Sequence, residues 1–362
     1  MAFSFPLLRL YDAYMLSLIL PALMAFVCTV VFHAIALQLF PCMGLLDFPQ
    51  RYGLLRARIP YPTGVIAVVV FLGFFLALLP WTMHNLGVAI GVTLLACISF
   101  IDDRHPLPAL LRLATQIIVS MVVFVCGSRI YTFTSPLPWL TGSSIIPLDS
   151  LRIIVPVVGP LPVLSGIFTI VWLGLTINAL NWFDGIPGQV SVIATLGFLT
   201  ISLLSLSPHV GQPDVALIAL VLAGVSGGCM LFDLPPPRVL MGDTGAMFFG
   251  LMLGILTIYA GGKVATAFLV LGVPLLDFFF VALHRLSHGR SPLAGSAQGE
   301  HLHHRLLQRG WKPEHIIVLT ACIGMTFGVV ALFLNTSGKF IALLMLGTIM
   351  SVLWRYASKS AV

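Results

Sequence analysis

Charged residues are scarce in this chain. Asp, Glu, Lys and Arg make up 8% of its 362 residues, whereas 59% are apolar, and the mean hydropathy is +1.07. Soluble domains average about 25% charged residues, so the composition excludes a water-soluble globular enzyme. It also excludes an intrinsically disordered chain, because so much apolar surface would not stay unburied.

Paired cysteines are missing as well. The six cysteines stand singly, mostly within apolar runs, and none belongs to a CxxC pair. We interpret them as small apolar side chains rather than zinc ligands. The net charge of +6 does not indicate a nucleic-acid partner, because the basic residues are scattered in short gaps between apolar runs, where they report membrane topology.

Long apolar runs recur along the whole chain. A bilayer core of about 30 Å needs roughly 20 helical residues to cross it. About eleven runs approach that length, with the first kept as a span rather than removed as a signal peptide. We predict an all-α polytopic membrane protein with a single transmembrane domain over residues 1–362. The predicted spans are 14–40, 62–80, 84–101, 109–127, 163–182, 189–207, 214–232, 244–260, 264–283, 315–334 and 339–355.

The gaps between spans divide the charges unequally. Thirteen of the 18 Lys and Arg residues lie in the gaps after odd-numbered spans or in the C-terminal tail, which the positive-inside rule places in the cytoplasm. The N-terminus is then outside and the C-terminus inside. No charged residue lies in the middle of a span, which argues against ion-coupled transport. The gap from Ser128 to about Pro162, on the outer side, predicts a short hairpin or loop.

Carboxylates gather in the predicted cytoplasmic loops. Asp102 and Asp103 directly follow the third span, and such a pair at a membrane rim is typical of a Mg²⁺ or phosphate site, with a solvated helix end as the alternative. Asp233 opens a rigid proline-rich approach to Asp243. Asp243 stands where the next span begins, so it could either bind a metal or cap that helix.

The third cytoplasmic loop carries a polar stripe. Asn178, Asn181 and Asp184 are spaced three residues apart, so they lie on one face at the end of a helix. Gly185 ends the helix and lets the backbone approach a ligand. Amides that hold helices together are the structural alternative, but it does not readily account for all three groups.

The fifth cytoplasmic loop is basic and rich in histidine. Its candidate residues are Arg285, His301, His303, His304 and Arg305. Three histidines in four residues suit zinc, so a zinc intramembrane hydrolase is one hypothesis. No HExxH motif is present, however, and the arginines favour a phosphate-binding surface, to which Arg51 of the first loop adds.

Together these loops resemble the polyprenyl-phosphate N-acetylhexosamine-1-phosphate transferases of glycosyltransferase family 4. That family carries an Asp-Asp loop, an NxxNxxDGxxG loop, an MGDxG loop and an HxHH loop, and the chain has them in this order at 102–103, 178–188, 241–245 and 301–304. The span number and the HxHH form are similar to the WecA and TagO branch rather than to the ten-span MraY enzymes. The chain departs from the family pattern in its first loop and at Pro187, Asp233 and Ala246, where the family commonly has Asp, Asn and Ser.

The resemblance implies transfer of a sugar 1-phosphate, expected to be N-acetylglucosamine 1-phosphate, from a UDP-sugar to undecaprenyl phosphate. UMP is released, and the lipid-linked product starts a cell-envelope polysaccharide such as O-antigen at the bacterial inner membrane. The implied cofactor is Mg²⁺, with Mn²⁺ as a substitute. The implied catalytic residues are Asp102, Asp103, Asp184, Asp243 and His301.

The resemblance also implies roles for the single residues. Asp243 is the expected metal ligand, and Asp102 and Asp103 are expected to bind the metal or the lipid phosphate. The expected substrate contacts are Asn178, Asn181, Asp184, Gly185 and Asp233 around the nucleotide, and Arg51, Arg285, His303, His304 and Arg305, with His301, around the phosphates.

Other functions stay open from the sequence alone. The chain could be a transporter or a catalytically silent scaffold that binds polyprenyl phosphate, and the missing second Asp at Pro187 favours lost catalysis. A zinc hydrolase would contain stoichiometric zinc. The sequence assigns neither the sugar nor the pathway, and it leaves a homodimer open.

Overall fold

The protein is described by a computed structural model that covers residues 5–52, 56–135, 138–143, 145–156, 159–208, 210–260, 264–291 and 299–358, with the backbone alone at 5–14, 51–52 and 138–139. A short 3₁₀ helix covers Pro49–Tyr52. The strands are β1 Thr132–Thr134, β2 Ile145–Pro147, β3 Arg152–Val155 and β4 Gly159–Pro162. The α-helices are α1 Phe5–Cys42, α2 Gly64–Leu78, α3 Met83–Arg104, α4 Ala109–Val125, α5 Pro138–Thr141, α6 Val163–Phe183, α7 Gln189–Leu206, α8 Pro213–Asp233, α9 Gly242–Tyr259, α10 Val264–Val270, α11 Gly272–Ser287, α12 Leu302–Gln308, α13 Pro313–Phe333 and α14 Thr336–Ser358.

The described helices confirm an all-α polytopic membrane protein. Eight of them are long and apolar enough to cross a bilayer, or nine if α10 and α11 form one span. Helices α2 and α4 are apolar but shorter, with 15 and 17 residues. Each of the eleven predicted spans coincides with a helix or a helix pair, because a long apolar run in lipid can satisfy its backbone only as a helix.

The predicted span over 264–283 consists of two helices with a sharp bend between them. Helices α10 and α11 meet at Leu271 with a bend of 86°. Pro274 lies in the first turn of α11, and it cannot donate a hydrogen bond to the carbonyl of Val270, four residues earlier. The helix therefore breaks before the proline, and α11 leads in a new direction toward the histidine loop.

The predicted hairpin between Ser128 and Pro162 is present as two small antiparallel pairs. Strand β1 pairs with β2, and β3 pairs with β4. Both pairs expose aliphatic side chains, among them Ile153 and Ile154. The hairpins contribute none of the predicted site residues.

Helix α9 lies at the centre of the bundle. Of its membrane-length window, 89% is buried, against 17% for α1. The approach of α2 to α9 depends on two glycines, because a β-carbon added to Gly64 would lie 2.2 Å from the backbone nitrogen of Gly245. Such backbone contact between membrane helices requires small residues, and it fixes the N-terminus of α9 beside α2.

We expect Gly64→Ala to destabilise the protein, because the new methyl group must push two backbones apart, a strain of about 1–3 kcal/mol. Gly73→Ala is the matched control, since it lies on the same helix and a β-carbon there meets no atom within 4 Å. Both changes replace glycine with a better helix former, so neither should lose stability through helix propensity. Thermal unfolding in detergent should show a lower Tm for Gly64→Ala alone, and equal Tm values for the two variants would contradict the packing account.

Candidate active site

The Asp-Asp loop and the MGDxG loop meet through Asp103. Its Oδ1 accepts hydrogen bonds from the backbone nitrogen of Asp243 at 2.8 Å and from Tyr61 Oη at 2.7 Å. Its Oδ2 accepts from the backbone nitrogen and the hydroxyl of Thr244 at 3.0 and 2.6 Å. A carboxylate at a helix N-terminus satisfies the free N–H groups there. Asp103 therefore fixes the start of α9.

Capping of α9 thus falls to Asp103, which comes from another helix. Asp243 lies in the first turn of α9, and its side chain is 33% exposed. The sequence left open whether Asp243 caps its own helix. The structure leaves its carboxylate available to a ligand instead.

Asp102 is tied down by two donors. Its Oδ1 accepts from the backbone nitrogen of Leu107 at 2.6 Å, and its Oδ2 accepts from Arg112 Nη1 at 3.2 Å. Arg112 Nη1 also lies 3.5 Å from Asp243 Oδ2. Arg112, at the start of α4, therefore bridges the two loops. No role was assigned to Arg112 from the sequence, although a cation one turn inside an apolar run requires an anionic partner.

Asp184 joins the same acidic cluster. It follows the last residue of α6, so it stands at the end of the helix that carries the Asn stripe. Burial raises the pKa of the Asp184 carboxyl well above its usual range, and repulsion from three other carboxylates raises it further. The three are Asp233, Asp243 and Asp103. The structure therefore brings together carboxylates from three separate loops, as the sequence predicts.

The polar stripe divides into two parts. Asn178 exchanges hydrogen bonds with Gln116 of α4, at 2.6 and 3.3 Å, and also donates to the carbonyl of Gly174. Asn178 thus joins α6 to α4. Asn181 contacts the Asp243 side chain, and its Oδ1 is buried without a hydrogen-bond partner among the described residues.

Asp233, a predicted substrate contact, is almost fully buried and accepts a hydrogen bond from Ser191 Oγ at 2.9 Å. Ser191 lies in the first turn of α7. Asp233 therefore joins α8 to α7 at the edge of the acidic cluster. Its predicted contact with the nucleotide stays a prediction.

The histidines of the HxHH motif lie at the start of α12. His303 packs edge-on against Phe183, and its Nε2 occupies the space where a β-carbon of Gly185 would stand. Burial lowers the pKa of His303 well below its usual range, and the neighbouring imidazoles of His304 and His301 lower it further. His303 is therefore neutral near pH 7 in this pocket.

His301 is held by an acidic partner. Its Nδ1 lies 2.8 Å from Asp277 Oδ2, and Trp182 meets its ring edge-on at 5.6 Å between ring centres. Burial lowers the pKa of His304, and the neighbouring imidazole of His301 lowers it further, although Asp277 opposes this shift. In the described part of the chain, His301 Nε2 and both ring nitrogens of His303 are buried without hydrogen-bond partners. Three such nitrogens in one cluster need polar partners such as a ligand or water molecules.

The predicted phosphate-binding arginines are engaged within the protein. Buried Arg285 donates to Glu300 Oε2 at 2.6 Å and lies over the Trp182 ring. Arg305 donates to Ser358 Oγ and stacks on Trp354 of α14. Both therefore hold the histidine loop in place. The side chain of the third, Arg51, lies outside the described residues.

Glu300 accepts hydrogen bonds from two arginines, one of which is Arg285. It also accepts from Arg290 Nη1 at 3.2 Å. Burial would raise the pKa of Glu300, but its bond to Arg285 and the charges of Arg285 and Arg290 lower it below the usual range. Glu300 is thus ionised and anchors the segment just before His301, a function that the sequence did not suggest.

The segment 182–185 joins the acidic and histidine clusters. Trp182 touches His301, Phe183 and Gly185 touch His303, and Asp184 belongs to the acidic cluster. The sequence predicts that these two groups share one pocket, and the structure places them side by side.

The donor atoms suit Mg²⁺ better than zinc. Among the described residues, no three His, Cys, Asp or Glu side chains are placed to hold one ion, whereas structural and catalytic zinc sites use at least three protein ligands. Mg²⁺ instead takes one or two carboxylates together with waters and substrate phosphates. The partly exposed carboxylate of Asp243 and the Oδ1 of Asn181, which has no hydrogen-bond partner among the described residues, fit that requirement.

Comparisons with known proteins agree with this geometry. The model of glycosyl transferase family 4 matches residues 85–261. The chain is 30% identical over 282 residues to the decaprenyl-phosphate N-acetylglucosaminephosphotransferase of Mycolicibacterium smegmatis, covering 71% of this chain and 65% of that protein. It is 24% identical over 268 residues to a probable undecaprenyl-phosphate N-acetylglucosaminyl 1-phosphate transferase of Bacillus subtilis, covering 71% and 68%.

A third relative matches over most of its length. The undecaprenyl-phosphate alpha-N-acetylglucosaminyl 1-phosphate transferase of Escherichia coli O157:H7 is 25% identical over 350 residues, which cover 93% of this chain and 89% of that protein. The family match spans three of the four motif loops, and this alignment extends over nearly the whole chain. The chain is therefore similar to glycosyl transferase family 4, and in particular to its polyprenyl-phosphate N-acetylglucosamine-1-phosphate transferases.

Proposed function

We propose that this protein transfers N-acetylglucosamine 1-phosphate from UDP-N-acetylglucosamine to undecaprenyl phosphate. The bond between the β-phosphorus and the bridging oxygen of the donor breaks, and the same phosphorus becomes bonded to an oxygen of the lipid phosphate. The products are UMP and a polyprenyl-diphospho-sugar. The activities assigned to three relatives support this reaction.

The main support for the proposal is that residues 182–185 bring the acidic cluster and the histidine cluster into contact. The acidic cluster can hold a cation, and the buried imidazoles next to it present free ring nitrogens. A donor diphosphate needs both kinds of partner, because its charge must be offset while its oxygens are held in place. Both reactants can reach a site at the helix ends. The lipid phosphate is confined to the headgroup plane at that level, and the nucleotide sugar arrives from the adjoining water.

The proposed roles follow the environments. Asp243 is the metal ligand, with Asn181 Oδ1 as a neighbouring oxygen donor. Asp102 and Asp103 were also predicted to bind the metal, but their oxygens already accept hydrogen bonds, so we assign them to holding Arg112 and the α9 N-terminus in position. When bound, Mg²⁺ would offset the negative charge of the diphosphate and orient it.

The proposed location is a bacterial inner membrane, with the site facing the cytoplasm. The excess of basic residues in the loops that carry the motifs supports this orientation. It places the N-terminus outside and the C-terminus inside, and it gives the site direct access to cytoplasmic nucleotide sugars.

We expect purified protein to release UMP from UDP-N-acetylglucosamine only when undecaprenyl phosphate and Mg²⁺ are both present. EDTA should abolish release, and excess Mg²⁺ should restore it. A panel with UDP-N-acetylgalactosamine and UDP-glucose should show that the acetamido sugar is required. Failure to release UMP from any donor would contradict the proposal, and donor binding without turnover would support the silent scaffold.

A further inference from the structure

Asp277 stands out because it is a buried carboxylate within an apolar helix, outside all four motif loops. It occupies the sixth position of α11 and is 2% exposed. A carboxylate in such a setting is costly unless it is fully paired. Both of its partners belong to the histidine loop, about 25 residues further along the chain.

The two oxygens of Asp277 have different partners. Oδ1 accepts a hydrogen bond from the backbone nitrogen of Leu302 at 2.8 Å, which satisfies one of the free N–H groups at the start of α12. Oδ2 lies 2.8 Å from Nδ1 of His301. His301 is the N-cap residue of α12, and its own side chain does not cap that helix.

The second contact fixes the protonation of the imidazole. A carboxylate oxygen can only accept, so Nδ1 must carry the hydrogen. The other ring nitrogen, Nε2, is buried without a partner among the described residues. Trp182 contacts the ring from one side, and His303 lies parallel to it with ring centres 5.5 Å apart. The ring therefore has one orientation, which leaves Nε2 for the ligand.

We infer that Asp277 is a positioning residue that sets the tautomer and the direction of His301, so that the unprotonated Nε2 of this imidazole accepts a hydrogen bond from an O–H or N–H group of the sugar nucleotide. This inference rests on the proposed function. It adds a residue from outside the motifs to the site, and it assigns the two nitrogens of His301 different tasks.

Asp277→Asn separates this role from helix capping. The amide oxygen can still accept from Leu302, whereas the amide nitrogen facing His301 can only donate. Nδ1 must then give up its hydrogen, which moves to Nε2. We expect kcat to fall about 10- to 100-fold, the scale for losing a partner that orients a functional histidine, while the Tm stays close to that of the wild type. Asp277→Ala should lower both kcat and Tm.

Two measurements test the inference. Nitrogen NMR on protein with ¹⁵N-labelled histidine, assigned with His301→Ala, should show hydrogen on Nδ1 of His301 in the wild type and on Nε2 in Asp277→Asn. In the His301→Ala background, Asp277→Asn should cause no further loss of kcat. An unchanged tautomer, or an equal loss of kcat in both backgrounds, would overturn the inference.

The NMR result does not depend on turnover. If the wild-type protein fails to release UMP while the tautomer changes as expected, the proposed function is at fault and the positioning of the imidazole by Asp277 stands. If the wild type is active and the tautomer does not change, the positioning role is at fault.

Discussion

Asp243→Asn is expected to lower kcat by about 10²–10³-fold, the scale for removing one preorganised electrostatic group from an active site. The Asp243 side chain is one-third exposed, and it directly contacts Arg112 and Asn181. The amide that replaces it has nearly the same shape but no charge to hold Mg²⁺.

The fold should survive this change. The backbone nitrogen of Asp243, not its side chain, binds Asp103 at the start of α9, so the Tm should change little. Asp149→Asn is a matched control, because Asp149 forms an exposed ion pair with Arg152 outside the site and exposed pairs contribute little to stability. UMP release and thermal unfolding should be measured on all three proteins. Wild-type turnover of Asp243→Asn would remove this residue from the metal site.

Gly185→Ala should also abolish most of the activity. A β-carbon at Gly185 would stand 1.8 Å from His303 Nε2, so the imidazole must leave its place between Phe183 and His304. Since the ring is buried, its displacement moves the start of α12 as well. We expect kcat to fall by about 10²-fold or more, in line with the cost of misplacing a group in the site by about 1 Å.

Gly174→Ala gives the matched control for this steric effect. Gly174 lies on α6, three turns before Gly185, and a β-carbon there meets no atom within 4 Å. The kcat of the Gly174→Ala variant should equal that of the wild type. If Gly185→Ala is equally active, the packing of His303 against the loop does not matter for catalysis.

The sequence predicted the helices well because lipid enforces them. A long apolar run can hardly be anything but a helix in a bilayer. The bend between α10 and α11 escaped the prediction because apolar periodicity does not show where a helix changes direction, although Pro274 was a local signal.

The acidic cluster was predictable because its carboxylates follow or precede apolar runs. Residues at span ends on one side of a membrane share a narrow layer, so Asp103 and Asp243 could be brought together although 140 residues separate them. Their individual tasks were not predictable. Whether a carboxylate binds a ligand or caps a helix depends on which donors surround it, and Thr244 and Tyr61 settle this for Asp103.

The supporting residues were largely invisible in the sequence. Gln116 is an isolated amide in an apolar helix, and only the structure pairs it with Asn178. Asp277 gave a usable signal, because a carboxylate beside an apolar run must find a partner, but the identity of that partner depends on how α11 leaves the bend. Long-range pairing of this kind follows from tertiary packing rather than from local pattern.

The most direct test follows the β-phosphorus of the donor. UDP-N-acetylglucosamine labelled with ³²P at the β position should be incubated with purified protein, undecaprenyl phosphate and Mg²⁺, and the lipid and aqueous fractions should be counted. The proposed reaction moves the β-phosphorus with the sugar, so the label should enter the lipid and the released UMP should be unlabelled. Label recovered in UDP, with unlabelled sugar on the lipid, would show simple sugar transfer and contradict the account.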